Sequence, residues 1–157
     1  MKKLLLTTLA IAVMATCSLA QTNKEEVDLI QATLGMEKKA AFAEFIKLEG
    51  AQSDAFWKLY DEYEVKRKDL GKKRIELLQK YAAQYETISD EETAQILKET
   101  IALGKSTDNL VATYAKKMQK PAGVKAATQF FQLESYILSV VRASILESIP
   151  FIGEFDK

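Results

Sequence analysis

At 157 residues the chain is long enough for one domain with a modest core and too short for several. Its 22 basic and 22 acidic residues cancel, so nothing steers it to nucleic acid, and with histidine absent it lacks the usual general base, the serine and cysteine triads and the commonest transition-metal ligand. Cys17 is the only cysteine, which excludes a disulfide within the chain.

Lys2 and Lys3 precede an uncharged run from Leu4 to Cys17, and Ser18, Leu19 and Ala20 then offer small residues at the two positions a signal peptidase reads, before Gln21. Residues 1–20 are read as a signal peptide and 21–157 as a single helical domain, periplasmic after export. The apolar run falls short of the roughly 20 residues a spanning helix needs, so no integral membrane segment is expected after processing. Cys17 would be the acceptor if the chain were a lipoprotein, but Thr16 stands where such sites want Gly or Ala. The mature chain keeps only Met36 and Met118 as soft ligands. No metal, cofactor or catalytic residue is assigned.

Asn23 followed by Glu26 fits a capping box opening a first helix, with Val27, Ile30, Leu34, Ala41, Phe45 and Leu48 on one side. Gly35 bends or divides that helix and Gly50 ends it. A long second helix is expected from Ser53 to Tyr85, its apolar positions Phe56, Tyr60, Tyr63, Leu70, Leu77 and Tyr81 spaced in threes and fours. Ile88, Ser89 and Glu92 form a sharper box, with Asp90 and Glu91 where the helix dipole favours acids. It opens a third helix from about Asp90 to Met118, with Leu97, Ile101, Val111 and Met118 on its seam and Ile96, Leu103 and Leu110 beside it. Pro121, Ala122 and Gly123 break that helix. A fourth, the most apolar, runs from Val124 to Ser148, stopped by Pro150, and the apolar tail after it folds back or meets a partner. No strand alternation occurs, so the chain is all-α: four helices, a long antiparallel hairpin and a packed C-terminal helix.

A hairpin turning near Thr87 and Ile88 places Gly71 opposite Gly104 and Arg67 opposite Asp108. The glycines then mark either a close helix approach or two unrelated soft spots, since each costs about 1 kcal/mol against Ala. Arg67 and Asp108 would be an ion pair.

At these boundaries the chain resembles the Spy and CpxP family, whose mark is a Leu-Thr-x-x-Gln motif. Leu48 and Gln52 keep the ends of that motif, while Glu49 stands where Thr is expected. The stretch from Phe56 and Trp57 through Tyr60 to Tyr63 is similar to a signature of an exported relative group, and Phe130, Phe131, Gln132, Leu133 and Glu134 are similar to its second signature. The resemblance implies long, curved hairpins, a cradle-shaped dimer, and either ATP-independent chaperone activity or inhibition of an envelope stress sensor. Relatives that sense metals use histidine, which this chain lacks.

The motif residues also have a plain physical role. A Thr cap with Gln three positions on is a capping box stapled by the preceding Leu, and Glu49 should weaken it by about 1 kcal/mol. Phe130 and Phe131 read as core rather than cofactor box, with Gln132 and Glu134 satisfying polar groups where helices meet. Adjacent acids such as Asp61 and Glu62 do not face one another on a helix and suggest no catalytic pair.

A candidate protein-binding surface follows the second helix. Lys58, Lys66, Lys73 and Lys80 make a basic stripe, either a solvated face or the attractive side of a curved surface for acidic clients. Arg67 and Arg74 share a row with Tyr60 and Tyr81, so each either lays its methylenes on the core or anchors a bound segment. Trp57 is core packing, a docking aromatic or a dimer contact. The expected function is non-enzymatic binding of unfolded or membrane-associated envelope proteins, as a chaperone or else as an adaptor docking on a membrane sensor or anti-sigma partner.

Overall fold

The computed structural model describes the chain from residue 24 to residue 152, with side chains from Gly35 onward. The expected signal peptide, Cys17, the expected Asn23 cap and the side chains of Val27, Ile30 and Leu34 lie outside the described residues. Four α-helices follow in order: α1 (Lys24–Phe45), α2 (Gly50–Gln84), α3 (Asp90–Ala122) and α4 (Val124–Ser148). None of them is long and apolar enough to cross a membrane.

The hairpin of α2 and α3 is the frame. α2 spans 35 residues, about 50 Å at the α-helical rise. Ser89 caps α3 as read: its hydroxyl accepts from the Glu92 amide while the Glu92 carboxylate accepts from the Ser89 amide. These bonds hold the Glu92 carboxyl below its usual range, the backbone one contributing most. α3 runs through Pro121 to Ala122 and stops at Gly123, whose φ of 94° suits glycine.

α4 returns along the hairpin parallel to α2, so that Phe130 meets Tyr60 and Tyr63 while Pro150 meets Tyr81. α1 crosses the same end antiparallel to α2, with Lys38 near Glu64 and Phe42 near Tyr60.

The core is concentrated at this end. Phe42, Phe56, Tyr60, Tyr63, Tyr114, Met118 and Phe130 are fully or almost fully buried, and rings such as Tyr63 and Phe130 meet edge-on at 5.1 Å. Ala115, Ala122, Ala126 and Ala127 let α3 and α4 close on each other around their turn. Toward the hairpin tip, Leu70 and Leu77 are only half-buried, and packing thins.

Several expectations are corrected. α1 stops at Phe45 rather than at Gly50, and Gly50 instead starts α2 with φ 54°. α1 runs unbroken through Gly35, where a Cβ would make ordinary contact with Lys68 and Glu64. Its inward residues Lys38 and Phe42 are continued at helical spacing by Ile46 just past its end, which leaves Phe45 44 % exposed. On α3, Leu97 and Ile101 are 59 % and 49 % exposed, because the inward row is Ile96, Thr107, Val111, Tyr114 and Met118. Gly104 needs no close approach, since a Cβ there would meet nothing within 4 Å.

Glu49 caps α2 in an extended conformation with φ −131° and ψ 158° but makes no side-chain cap bond. Glu49→Thr keeps the backbone and adds a cap acceptor, so it is expected to raise stability by about 1 kcal/mol. Thermal unfolding should show a midpoint roughly 4 °C higher; no increase would mean that the amides at the start of α2 are already satisfied.

Candidate functional site

Two places depart from ordinary helix packing. The first is a buried polar cluster that joins three helices. Lys38 of α1 points inward over the Tyr63 ring, 5.1 Å from its centroid. Its Nζ lies 2.5 Å from Glu64 Oε1 and 2.9 Å from each Glu134 carboxylate oxygen, donating a hydrogen bond to Oε1. Tyr63 donates to that same Oε1 at 2.5 Å. Arg67 Nε donates to both Glu64 oxygens at 3.1 and 3.0 Å. Two cations thus balance two carboxylates out of water, the condition for burying charge at tolerable cost.

The balance is incomplete at its edges: Glu134 Oε2, Arg67 Nη2 and the Tyr60 hydroxyl are buried without a hydrogen bond. Burial raises the Tyr60 and Tyr63 phenols well above their ordinary value, and the neighbouring carboxylates push them further: Glu64 and then Glu134 for Tyr60, Glu134 first for Tyr63.

The second place is an open cavity of about 400 Å³ at the other end of the hairpin. α2 supplies Leu77, Leu78 and Tyr81, α3 supplies Ile96 and Leu103, and α4 supplies Ile145. Arg74 and Arg142 stand in its wall, and Ile149 to Ile152 close one side. Tyr81 donates to the Pro150 carbonyl at 2.8 Å, tying the turn after α4 to α2. No member of the buried cluster lines this cavity. The cluster therefore positions α1 and α4 on the hairpin, and the cavity leaves room for a ligand at the other end.

The sequence-derived surface divides accordingly. Lys58, Lys66, Lys73 and Lys80 are exposed on α2, with Lys73 paired to Asp69 at 2.8 Å and Lys66 lying over Tyr114. Trp57 is half-buried, edge-on to Phe56 at 5.0 Å, with Lys39 over its ring at 5.4 Å. Arg67 belongs to the buried cluster and Arg74 to the cavity. The expected Arg67 to Asp108 pair does not form; Glu64 engages Arg67, and Asp108 instead meets Arg142 of α4 at 2.5 Å.

Among the motif residues, Phe56, Tyr60, Tyr63, Phe130 and Glu134 are buried. Leu48 packs against the core, and Gln52 reaches the α3 to α4 turn, where its amide lies 3.9 Å from the place of a Gly123 Cβ. Gln132 is exposed and Phe131 is 45 % exposed, so of the polar pair only Glu134 satisfies buried groups. Phe131 faces out because Phe130 takes the inward row, and neighbours on a helix point about 100° apart.

Sequence reasoning missed Lys38, Glu64 and Arg142. The signal for Lys38 was its place one helical turn before Phe42 and two before Ile46, and for Glu64 its place between Tyr60, Tyr63 and Arg67. Compared with protein-family models, with curated proteins and with solved structures, the chain finds no match.

Proposed function

We propose that the chain is an exported, non-enzymatic factor that binds unfolded or membrane-associated envelope polypeptides without ATP, in the manner of the Spy-like family it resembles. The reading rests on apolar side chains left in water beside exposed lysines. Leu97 and Ile101, 59 % and 49 % exposed, stand one turn apart on α3. Lys73 and Lys80 are exposed on the same turns of α2 that supply Leu77, Leu78 and Tyr81. Exposed apolar patches mark interaction sites, and exposed cations attract acidic chains at a range set by the Debye length, about 8 Å at physiological salt.

The test is suppression of aggregation of several unrelated unfolded proteins at substoichiometric amounts. Leu97→Ser with Ile101→Ser should lose most of the suppression while helix content stays. Lys73→Glu with Lys80→Glu should lower it at low salt, with the difference fading as salt rises. No suppression of any client, with one tight partner recovered from envelope extracts, would overturn the chaperone reading.

A further inference from the structure

The cavity interior carries a separate demand. Its walls are mostly apolar, yet two guanidinium groups stand in them. Arg142 is held by Asp108. Arg74 is half-buried and makes no hydrogen bond or ion pair among the described residues. Burial, and next the nearby Arg142, depress its pKa, with Asp108 opposing. Two cations therefore share one carboxylate, which is itself largely exposed. A planar guanidinium with its donors unspent beside a second one fits a two-oxygen anion.

The rest of the cavity states what should be attached to that anion. A polypeptide would bring an amide and a carbonyl per residue, and buried without partners these are costly. The helical walls answer few of them: their backbone groups are already paired along the helices, the Tyr81 hydroxyl donates to the Pro150 carbonyl, and Thr100 adds one hydroxyl, which leaves only the short non-helical stretch 149–152 to offer backbone groups. An alkyl chain makes no such demand, and about 400 Å³ lies within the roughly 300–1,000 Å³ range of small-ligand sites.

We propose that this cavity binds a straight-chain monocarboxylate, its alkyl chain among Leu77, Leu103 and Ile145 and its carboxylate across Arg74 and Arg142. The site goes beyond polypeptide capture at the surface, and the two fail separately: loss of chaperone activity leaves it intact, and the reverse.

Calorimetric titration of the full chain with hexanoate, octanoate, decanoate and dodecanoate, kept below micelle concentrations, tests it. Affinity should rise about fourfold per methylene until the cavity is full, and each acid should bind at least about tenfold more tightly than the alcohol of equal length. Arg74→Gln should erase the difference between acid and alcohol while sparing the alcohol. Gly104→Leu gives a second, independent arm. Gly104 lines the cavity and a Cβ there meets nothing within 4 Å, so this variant should fold, with better helix propensity, and lose acid and alcohol alike. Failure of the acids to bind, equal binding of acids and alcohols, or unchanged binding by Arg74→Gln would overturn the proposal. Tighter binding of dodecyl phosphate than of dodecanoate would overturn the carboxylate assignment.

Discussion

Glu134→Ala is expected to destabilise the fold by about 3–5 kcal/mol, the usual consequence of removing one partner from a buried ion pair. The carboxylate is fully buried and holds two donors, the Lys38 ammonium and the Tyr63 hydroxyl. Truncation leaves Lys38 with Glu64 alone, shared with Arg67, and leaves the phenol with nothing to donate to. Against a typical total of roughly 5–15 kcal/mol that is a large fraction, and denaturant unfolding should show it as a lower midpoint at unchanged slope. The companion experiment separates the value of the network from the harm of breaking it. Lys38→Met, Glu134→Leu and Tyr63→Phe together remove both charges and the orphaned hydroxyl while keeping volume and leaving the Glu64 to Arg67 pair. That triple variant should lie within about 2 kcal/mol of the parent or above it. A single Glu134→Ala variant within about 1 kcal/mol of the parent would mean that the three helices are not joined through this carboxylate.

Much of the frame was legible because it is written locally. The Ser89 to Glu92 box, Gly123 and the spacing of Phe56, Tyr60 and Tyr63 each act within a few residues, and α2, α3 and α4 follow from them. Which face of α3 turns inward was not local. Steps of three and four fit the row through Leu97 and Ile101 as well as the row through Ile96 and Leu103, and the choice is made by where α4 packs. The buried charges were hidden for the same reason. Lys38 finds Glu134 across 96 positions and Tyr63 finds it across 71, so each looks in sequence like a residue of a solvated face. Arg67 on the seam was the one visible sign of them. The cavity could not be read at all: its lining comes from three helices and the turn after α4, and Gly104 and Arg74 take their meaning only from the space they share.

Stability is also expected to fall steeply above about pH 10, and the cause should be traceable to two phenols. Burial and the adjacent carboxylates raise the folded-state pKa of Tyr60 and of Tyr63 above the ordinary value of 10.0, so the native protein keeps both protons where the unfolded chain releases them. Stability from a group with a raised folded pKa is fully present below the unfolded pKa and lost as pH climbs from there toward the folded one. Each phenol contributes a slope of about 1.4 kcal/mol per pH unit, so the pair removes roughly 5 kcal/mol between pH 10 and pH 12, enough to unfold a protein of ordinary stability. Circular dichroism and phenolate absorbance should therefore change together for these residues. Tyr60→Phe is the cleaner probe, since it deletes a buried hydroxyl without a hydrogen bond and so costs little at neutral pH. It should halve the alkaline slope. Tyr63→Phe should halve it as well, but at a cost of about 1–3 kcal/mol at pH 7, because Glu134 loses a charge-assisted donor. If both phenols ionise near pH 10 with the helices intact, the aromatic end of the hairpin admits water and the ion cluster beneath it is not sealed.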